Sequence, residues 1–235
     1  MDLIECKQYC VHRHPWELSR VHCVIEEVIK YHNGTKILDI GCGDSYLDYQ
    51  LIEKIEGIDK VYGIDIYAEN EINDNKYIVV NDYKKLKNKK FDTILMFDVL
   101  EHVENDEDFL NKTVMPLMKD NGRIIMTVPA YQSLFSNHDK ELKHHRRYNI
   151  KMFRDICDKS KFKIINYHYF YASLVPIRLI SKLLNKDNKV NEWKYDDKHL
   201  LTRLMKGVLN LDYFICKKMN KLSFGLSLFI VLEKK

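Results

Sequence analysis

Lys36-Ile37-Leu38-Asp39-Ile40-Gly41-Cys42-Gly43-Asp44-Ser45-Tyr46-Leu47 is the stretch on which the reading of the fold turns. Ile37, Leu38 and Ile40 form an apolar run of strand character that stops at two glycines one residue apart. A pattern of helical period follows over residues 46–55. Glycines at 41 and 43 let the main chain turn sharply and let a ligand approach backbone that carries no Cβ. The stretch therefore reads as strand, tight turn and helix, with something bound against the turn.

Outward from it, strand patterns recur at 61–65, 77–80, 91–97 and 123–128, and helical patterns at 46–55 and 104–118. In an open parallel α/β sheet the ligand crevice lies outside the carboxyl ends of the strands. Charge narrows the ligand. A dinucleotide fingerprint G-x-G-x-x-G wants a small third residue and an uncharged loop for the pyrophosphate. Here Tyr46 stands third, and Asp39, Asp44, Asp65 and Asp82 gather near successive strand ends. Such a set suits a ligand with cationic groups and ribose hydroxyls and repels a diphosphate.

In order and spacing, D-x-G-x-G at 39–43, the acid Asp65 after the second strand and Asp82 after the third resemble the signatures of the class I S-adenosylmethionine-dependent methyltransferases. The resemblance implies a Rossmann-like, seven-stranded, mostly parallel sheet with helices on both faces and a reversed final hairpin, with 226–233 as the last strand. It implies S-adenosylmethionine as cofactor, with Asp39, Gly41 and Gly43 in the cradle. Asp65 then takes the ribose hydroxyls, Asp82 accepts from the adenine amino group, and Ile66 or Tyr83 covers the ring. The plain alternative for Asp82 is a solvated turn. Phe97, Val99 and His102, in the run Phe97-Asp98-Val99-Leu100-Glu101-His102-Val103, line the crevice because they leave the fourth strand at its carboxyl end. Glu101 and His102 also read as a loop pin and a helix cap.

Two further segments look like one bacterial small-molecule or lipid-linked group of these enzymes. His14-Pro15-Trp16-Glu17-Leu18-Ser19-Arg20 is similar to its opening H-W-W-F-x-x-R, with Pro15 and Glu17 departing from it. The likeness implies that residues 1–30 cover the cofactor through Trp16 and Arg20; the plain reading is an aromatic staple beside an exposed arginine. Residues 136–148 (SNHDKELKHHRRY) are similar to H-D-x-x-L-G-H-x-R-R-Y, with Lys143 replacing the glycine. An acid beside a histidine sets its tautomer and basicity. His138 oriented by Asp139, or His144, is therefore the candidate base for O-methylation. Arg146, Arg147 and Tyr148 are candidates to hold an acceptor carboxylate or phosphate. The plain reading is a basic, solvated, histidine-rich connection.

Competing readings remain open at this level. Asp98, Glu101, His102 and His138 offer a divalent-ion set, similar to the E-x-x-E-H element of small-RNA 3′-terminal methyltransferases, with Asp98 in place of the first glutamate. A non-catalytic module that merely binds the cofactor is another. Residues 104–118 read as one helix carrying Pro116, and Asp120-Asn121-Gly122 as the turn into the next strand. Residues 150–160 and 163–170 read as a further helix and strand.

The 235 residues suit one domain, and a net charge of +4 by itself says little about nucleic acid. The N-terminal MDLIECKQYCVHRHP lacks the apolar centre of a secretory leader. No apolar run reaches the roughly 18 residues of a spanning helix. A cytoplasmic protein is expected, membrane-peripheral at most. Six cysteines without framework spacing fit free thiols. Cys6, Cys10, His12 and His14 can be drawn as a zinc site, but lack a second ligand pair. Residues 173–224, an insertion before the last strand, hold 11 Lys or Arg against 5 Asp or Glu, so +6, while the remainder with 27 against 29 sums to −2. Its apolar helical faces suit either a lid over the acceptor pocket or an amphipathic element on an anionic membrane. Without densely interleaved stacking aromatics, nucleic acid is disfavoured as acceptor.

Overall fold

A computed structural model describes residues 12–68, 71–184, 193–219 and 224–235. Cys6 and Cys10, and with them the zinc reading, lie outside the described residues, as do parts of the insertion.

The strands are β1 (Lys36–Ile40), β2 (Lys60–Ile64), β3 (Ile72–Asn73), β4 (Tyr77–Val80), β5 (Phe91–Phe97), β6 (Met118–Pro129), β7 (Phe162–Phe170) and β8 (Ser227–Lys234). They form one sheet in the order β3-β4-β2-β1-β5-β6-β8-β7. All seven expected strands are present, and the eighth is β3, paired antiparallel to β4; at two residues it is too short to show any periodicity. β4, β2, β1, β5 and β6 run parallel. β8 runs antiparallel between β6 and β7, the reversed final hairpin.

Period two sorts the side chains into two cores. Leu38, Ile94, Met96, Ile124, Met126 and Ile230 face one layer, which Leu110, Val114, Phe153 and Ile156 cover. Ile37, Leu95, Ile125, Phe229 and Val231 face the other, covered by Val24, Ile25, Val28, Leu51 and Leu209. Cover on both faces is why the central strands read as continuous apolar runs. α1 (Pro15–Tyr31), α2 (Tyr46–Lys54) and α7 (Leu200–Lys218) belong to the second layer, and α5 (Ile150–Asp158) to the first.

The helix expected over 104–118 is broken into α3 (Asp106–Asp108), a π-type stretch (Phe109–Val114) and a 3-10 turn (Met115–Leu117). Pro116 has no N–H to donate and restricts the residue before it, so a regular ladder cannot run through. β6 starts earlier than expected, at Met118, with a register shift that absorbs Asp120 to Gly122. The remaining helices are α4 (Asn137–Glu141) and α6 (Leu174–Leu183). β1 lies between β2 and β5, which places the switch point, and hence the crevice, beyond Ile40, Ile64 and Phe97.

Candidate functional site

The turn after β1 is built as its glycines require. Gly41 and Gly43 have φ of +77° and +55°, in the left-handed region where a side chain is strained. A Cβ on Gly41 would stand 2.6 Å from Val99 Cγ2. Gly41 N–H donates to Ile64 O at 2.7 Å, and Gly43 N–H to Asp65 Oδ2 at 3.0 Å. Asp65 Oδ1 accepts Tyr67 N–H at 2.8 Å. Two backbone bonds thus fix the carboxylate at the tip of β2, with two of its four lone-pair sites still to offer. Ile66 beside it is 62% exposed, an apolar side chain bare at the crevice mouth. Asp82 accepts Lys84 N–H at 2.8 Å and caps the turn that carries Tyr83, whose half-buried ring meets Phe109 edge-on.

Asp39 is buried on β1. Burial, then the charge of Asp48, pushes its carboxyl well above the usual range, and burial pushes Asp48 up likewise. Two buried carboxyls side by side share a proton. Tyr77 donates to Asp48 Oδ2 at 2.6 Å, which anchors the pair under the glycine loop. Neither Asp48 nor Tyr77 carries a local sequence signal, because their meeting spans 29 positions.

α1 lies against this loop. Glu17 and Arg20 share a cleft with Asp39, Gly41, Asp44 and Phe97. Arg20, 6% exposed, pairs with Asp98 and lies 4.6 Å from the centre of the Trp16 ring; it is not the exposed arginine of the plain reading. Arg13 pairs with both Glu17 and Asp44 and stacks 3.9 Å above Tyr46. Asp98 has φ +55° and accepts Thr127 Oγ1–H at 3.0 Å, so it is held by Arg20 and Thr127. The bare backbone at Gly41, with a guanidinium and carboxyls in one cleft, fits a ligand carrying a carboxylate and cationic centres.

Asp139 centres the histidine loop. It is fully buried and accepts Ser136 N–H at 2.9 Å, Arg147 Nε–H at 2.8 Å and Arg178 Nη2–H at 3.1 Å, and Oδ1 lies 3.1 Å from His144 Nδ1. Burial opposes its ionisation. The hydrogen bonds from His144 and Arg147, with the Arg147 charge, outweigh that and hold the carboxyl below its ordinary range. The imidazole it orients is thus His144 rather than His138. Burial, with Arg178 nearby, pushes the His138 pKa down.

Three other expectations change. Arg147 is 5% exposed, bound to Asp139 and Ala130 O. Tyr148 is buried with its hydroxyl 2.9 Å from Asp106 Oδ2 and 3.1 Å from Leu100 O. Both hold the loop down instead of facing outward. Of the divalent-ion set, only Glu101 and His102 stay together, and His144 joins them: one ligand atom from each lies within 4.8 Å of the others. The His102 and His144 rings meet edge-on at 4.6 Å. Arg146 pairs with Asp106 at 2.8 Å and is a quarter exposed.

Residues 24–167 match the family described as a methyltransferase domain. The ubiquinone biosynthesis O-methyltransferase of Rickettsia bellii (strain OSU 85-389) is 28% identical over 122 residues, 46% of this chain and 50% of that protein. That of Pelagibacter ubique (strain HTCC1062) is 38% identical over 96 residues, 37% and 39%. The chain spans about half the length of the curated relatives it matches, or less. Among solved structures, N-methyltransferase NodS from Bradyrhizobium japonicum WM9, in complex with S-adenosyl-L-homocysteine, aligns over 96% of this chain and 91% of its own at TM-score 0.53 and 10% identity. A cyclopropane-fatty-acyl-phospholipid synthase-like protein from Lactobacillus casei aligns over 94% and 92% at TM-score 0.55 and 13% identity. At such identities the likeness is one of fold. The family match takes in the glycine turn, Asp65, Asp82 and the run through Glu101 and His102, so the chain belongs to the methyltransferase-domain family.

Proposed function

We propose that the protein O-methylates a small-molecule or lipid-linked acceptor, with His144 as general base. The observation that carries this is the contact between Asp139 Oδ1 and His144 Nδ1 at 3.1 Å, on a loop beyond the carboxyl end of β6. Bound S-adenosylmethionine supplies a sulfonium-activated methyl group. In this reading Gly41, Gly43, Asp39 and Arg20 take its amino-acid end, Asp65 its ribose, and Asp82, Ile66 and Tyr83 its base. An Nδ1–H donated to Asp139 leaves the Nε2 lone pair to accept the proton of an acceptor hydroxyl. Asp139 keeps its charge because Arg147 and Arg178 neutralise it, and it stabilises the imidazolium that forms. Holding the hydroxyl in line, about 3 Å behind the methyl carbon, supplies much of the remaining rate. Arg146, a quarter exposed, meets an anionic group on the acceptor by giving up part of its bond to Asp106.

A second reading rests on the convergence of Glu101, His102 and His144. A magnesium or manganese ion there would lower the pKa of an acceptor hydroxyl as a Lewis acid. One experiment separates the two. Mass spectrometry of cell extract incubated with enzyme and deuteromethyl-labelled cofactor identifies the acceptor. Turnover on that acceptor is then measured for His144→Ala and His138→Ala, with and without chelator. A loss of about a hundredfold or more in His144→Ala, with S-adenosylhomocysteine affinity unchanged and chelator without effect, supports the base. Activity lost in chelator and restored by magnesium supports the ion, and unchanged turnover removes His144 from both roles.

A further inference from the structure

Among the described residues, the insertion carries an apolar surface that no other element covers. On α7, Thr202, Leu209, Tyr213 and Cys216 face inward, and Ser19 Oγ–H donates to Asn210 Oδ1 at 2.7 Å, fastening the helix to α1. The opposite side carries Leu201, Leu204, Val208, Leu211 and Ile215, exposed by 42% to 63%, at the spacing of a single stripe. A Cβ added at Gly207 would meet nothing within 4 Å. α6 presents Ile177 and Ile180, and Leu184 follows at its C-terminal end, all 56% to 60% exposed. The start of α6 is fixed beside the C-terminal half of α7, where Ser173 N–H donates to Asp212 Oδ2 at 3.0 Å. Monomeric proteins rarely leave large apolar patches to water.

We propose that this face docks on an anionic lipid surface. Charge selects that occupant. Arg203 and Lys218 are exposed at the flank of the α7 stripe, and the insertion carries +6 against −2 for the rest of the chain. A second copy docked face to face would bring two such charges together. Anionic headgroups neutralise them, while the lysine and arginine stems reach past the apolar stripe to the phosphates. No helix among the described residues is long and apolar enough to cross a membrane, and one side of α7 is tied to the sheet, so α7 lies in the interface plane. Arg178 and Lys182 of α6 bind the histidine loop at Ser136, Asp139 and Ser133 O, so the docked face adjoins the loop that holds His144. Docking does not depend on the base assignment.

The test is flotation of the full chain with vesicles of phosphatidylcholine alone or doped with phosphatidylglycerol, at low salt and at roughly 0.5 M salt. The expected result is binding to the doped vesicles, weakened by salt, and reduced about tenfold or more in Leu204→Glu/Leu211→Glu. Arg203→Glu/Lys218→Glu, which leaves the apolar stripe intact, should lose most of the preference for phosphatidylglycerol. S-adenosylhomocysteine affinity should be unchanged in both variants, which separates lost docking from lost folding. Absence of flotation with both vesicle types overturns the proposal. So does a dimer by light scattering that Leu204→Glu/Leu211→Glu dissolves, since that assigns the face to a second copy.

Discussion

His168 shows what burial does to one titratable side chain. It is 4% exposed on β7, packed on Phe229 and Tyr213, and its Nε2 has no hydrogen-bond partner among the described residues. Burial pushes its pKa down to about 4, from 6.5. As pH falls, the unfolded chain takes this proton first, so stability is lost below the unfolded pKa and the loss is complete near the folded one. Between about pH 7.5 and 4.5 the group should cost about 2 to 3 kcal/mol. His168→Phe, compared with the parent by urea unfolding at both pH values, should remove that part of the acid slope; an identical slope in the variant would refute it. Asp139 adds in the same direction, because its carboxyl, held below the ordinary range, loses its stabilising bonds when protonated. The same burial that makes His168 a liability makes Asp139 an orienting group, and the difference is whether partners came with it.

The 136–148 element carries a test of its own. Lys143 stands where the resembling motif has glycine, and its φ is +60°, so the left-handed turn has been kept without the residue that adopts it freely. The strain of a side chain there is about 1 kcal/mol. Lys143→Gly should therefore raise the unfolding free energy by up to about 1 kcal/mol, less the extra entropy of the unfolded glycine, without loss of S-adenosylhomocysteine binding. A lower melting temperature would mean that the lysine side chain, rather than the backbone, holds the turn. In this element the sequence marked the position, where Lys143 departs from the motif's glycine, and the structure supplied the conformation. The sequence did not show the pairing, since three histidines and two arginines in one loop do not say which of them Asp139 meets.

Across the whole molecule, α6 fastens the insertion to the base. Arg178 Nη2 donates to Ser136 Oγ at 2.7 Å and to Asp139 Oδ2 at 3.1 Å, across some forty positions of sequence. Arg178→Leu removes charge-assisted bonds from a buried carboxylate and should cost about 2 kcal/mol of stability, read by urea denaturation. It should also lower turnover on the identified acceptor while leaving cofactor affinity alone. Full turnover in a correctly folded Arg178→Leu would show that the insertion and the base act separately.

What the chain by itself determined was the local grammar: seven strands and most helices, the glycines at 41 and 43, the acids at the strand tips and the family. All of these are read within a few residues, by period, by turn chemistry and by spacing. Only the tertiary structure decided which charged groups meet. Asp39 faces Asp48, Arg20 holds Asp98, Asp139 orients His144 and is itself held by Arg147 and Arg178, and the outer face of α7 stays bare. The reason is physical: burial and ion pairing depend on distances between residues far apart in sequence, and the sheet order that sets those distances is not written in any single stretch of the chain.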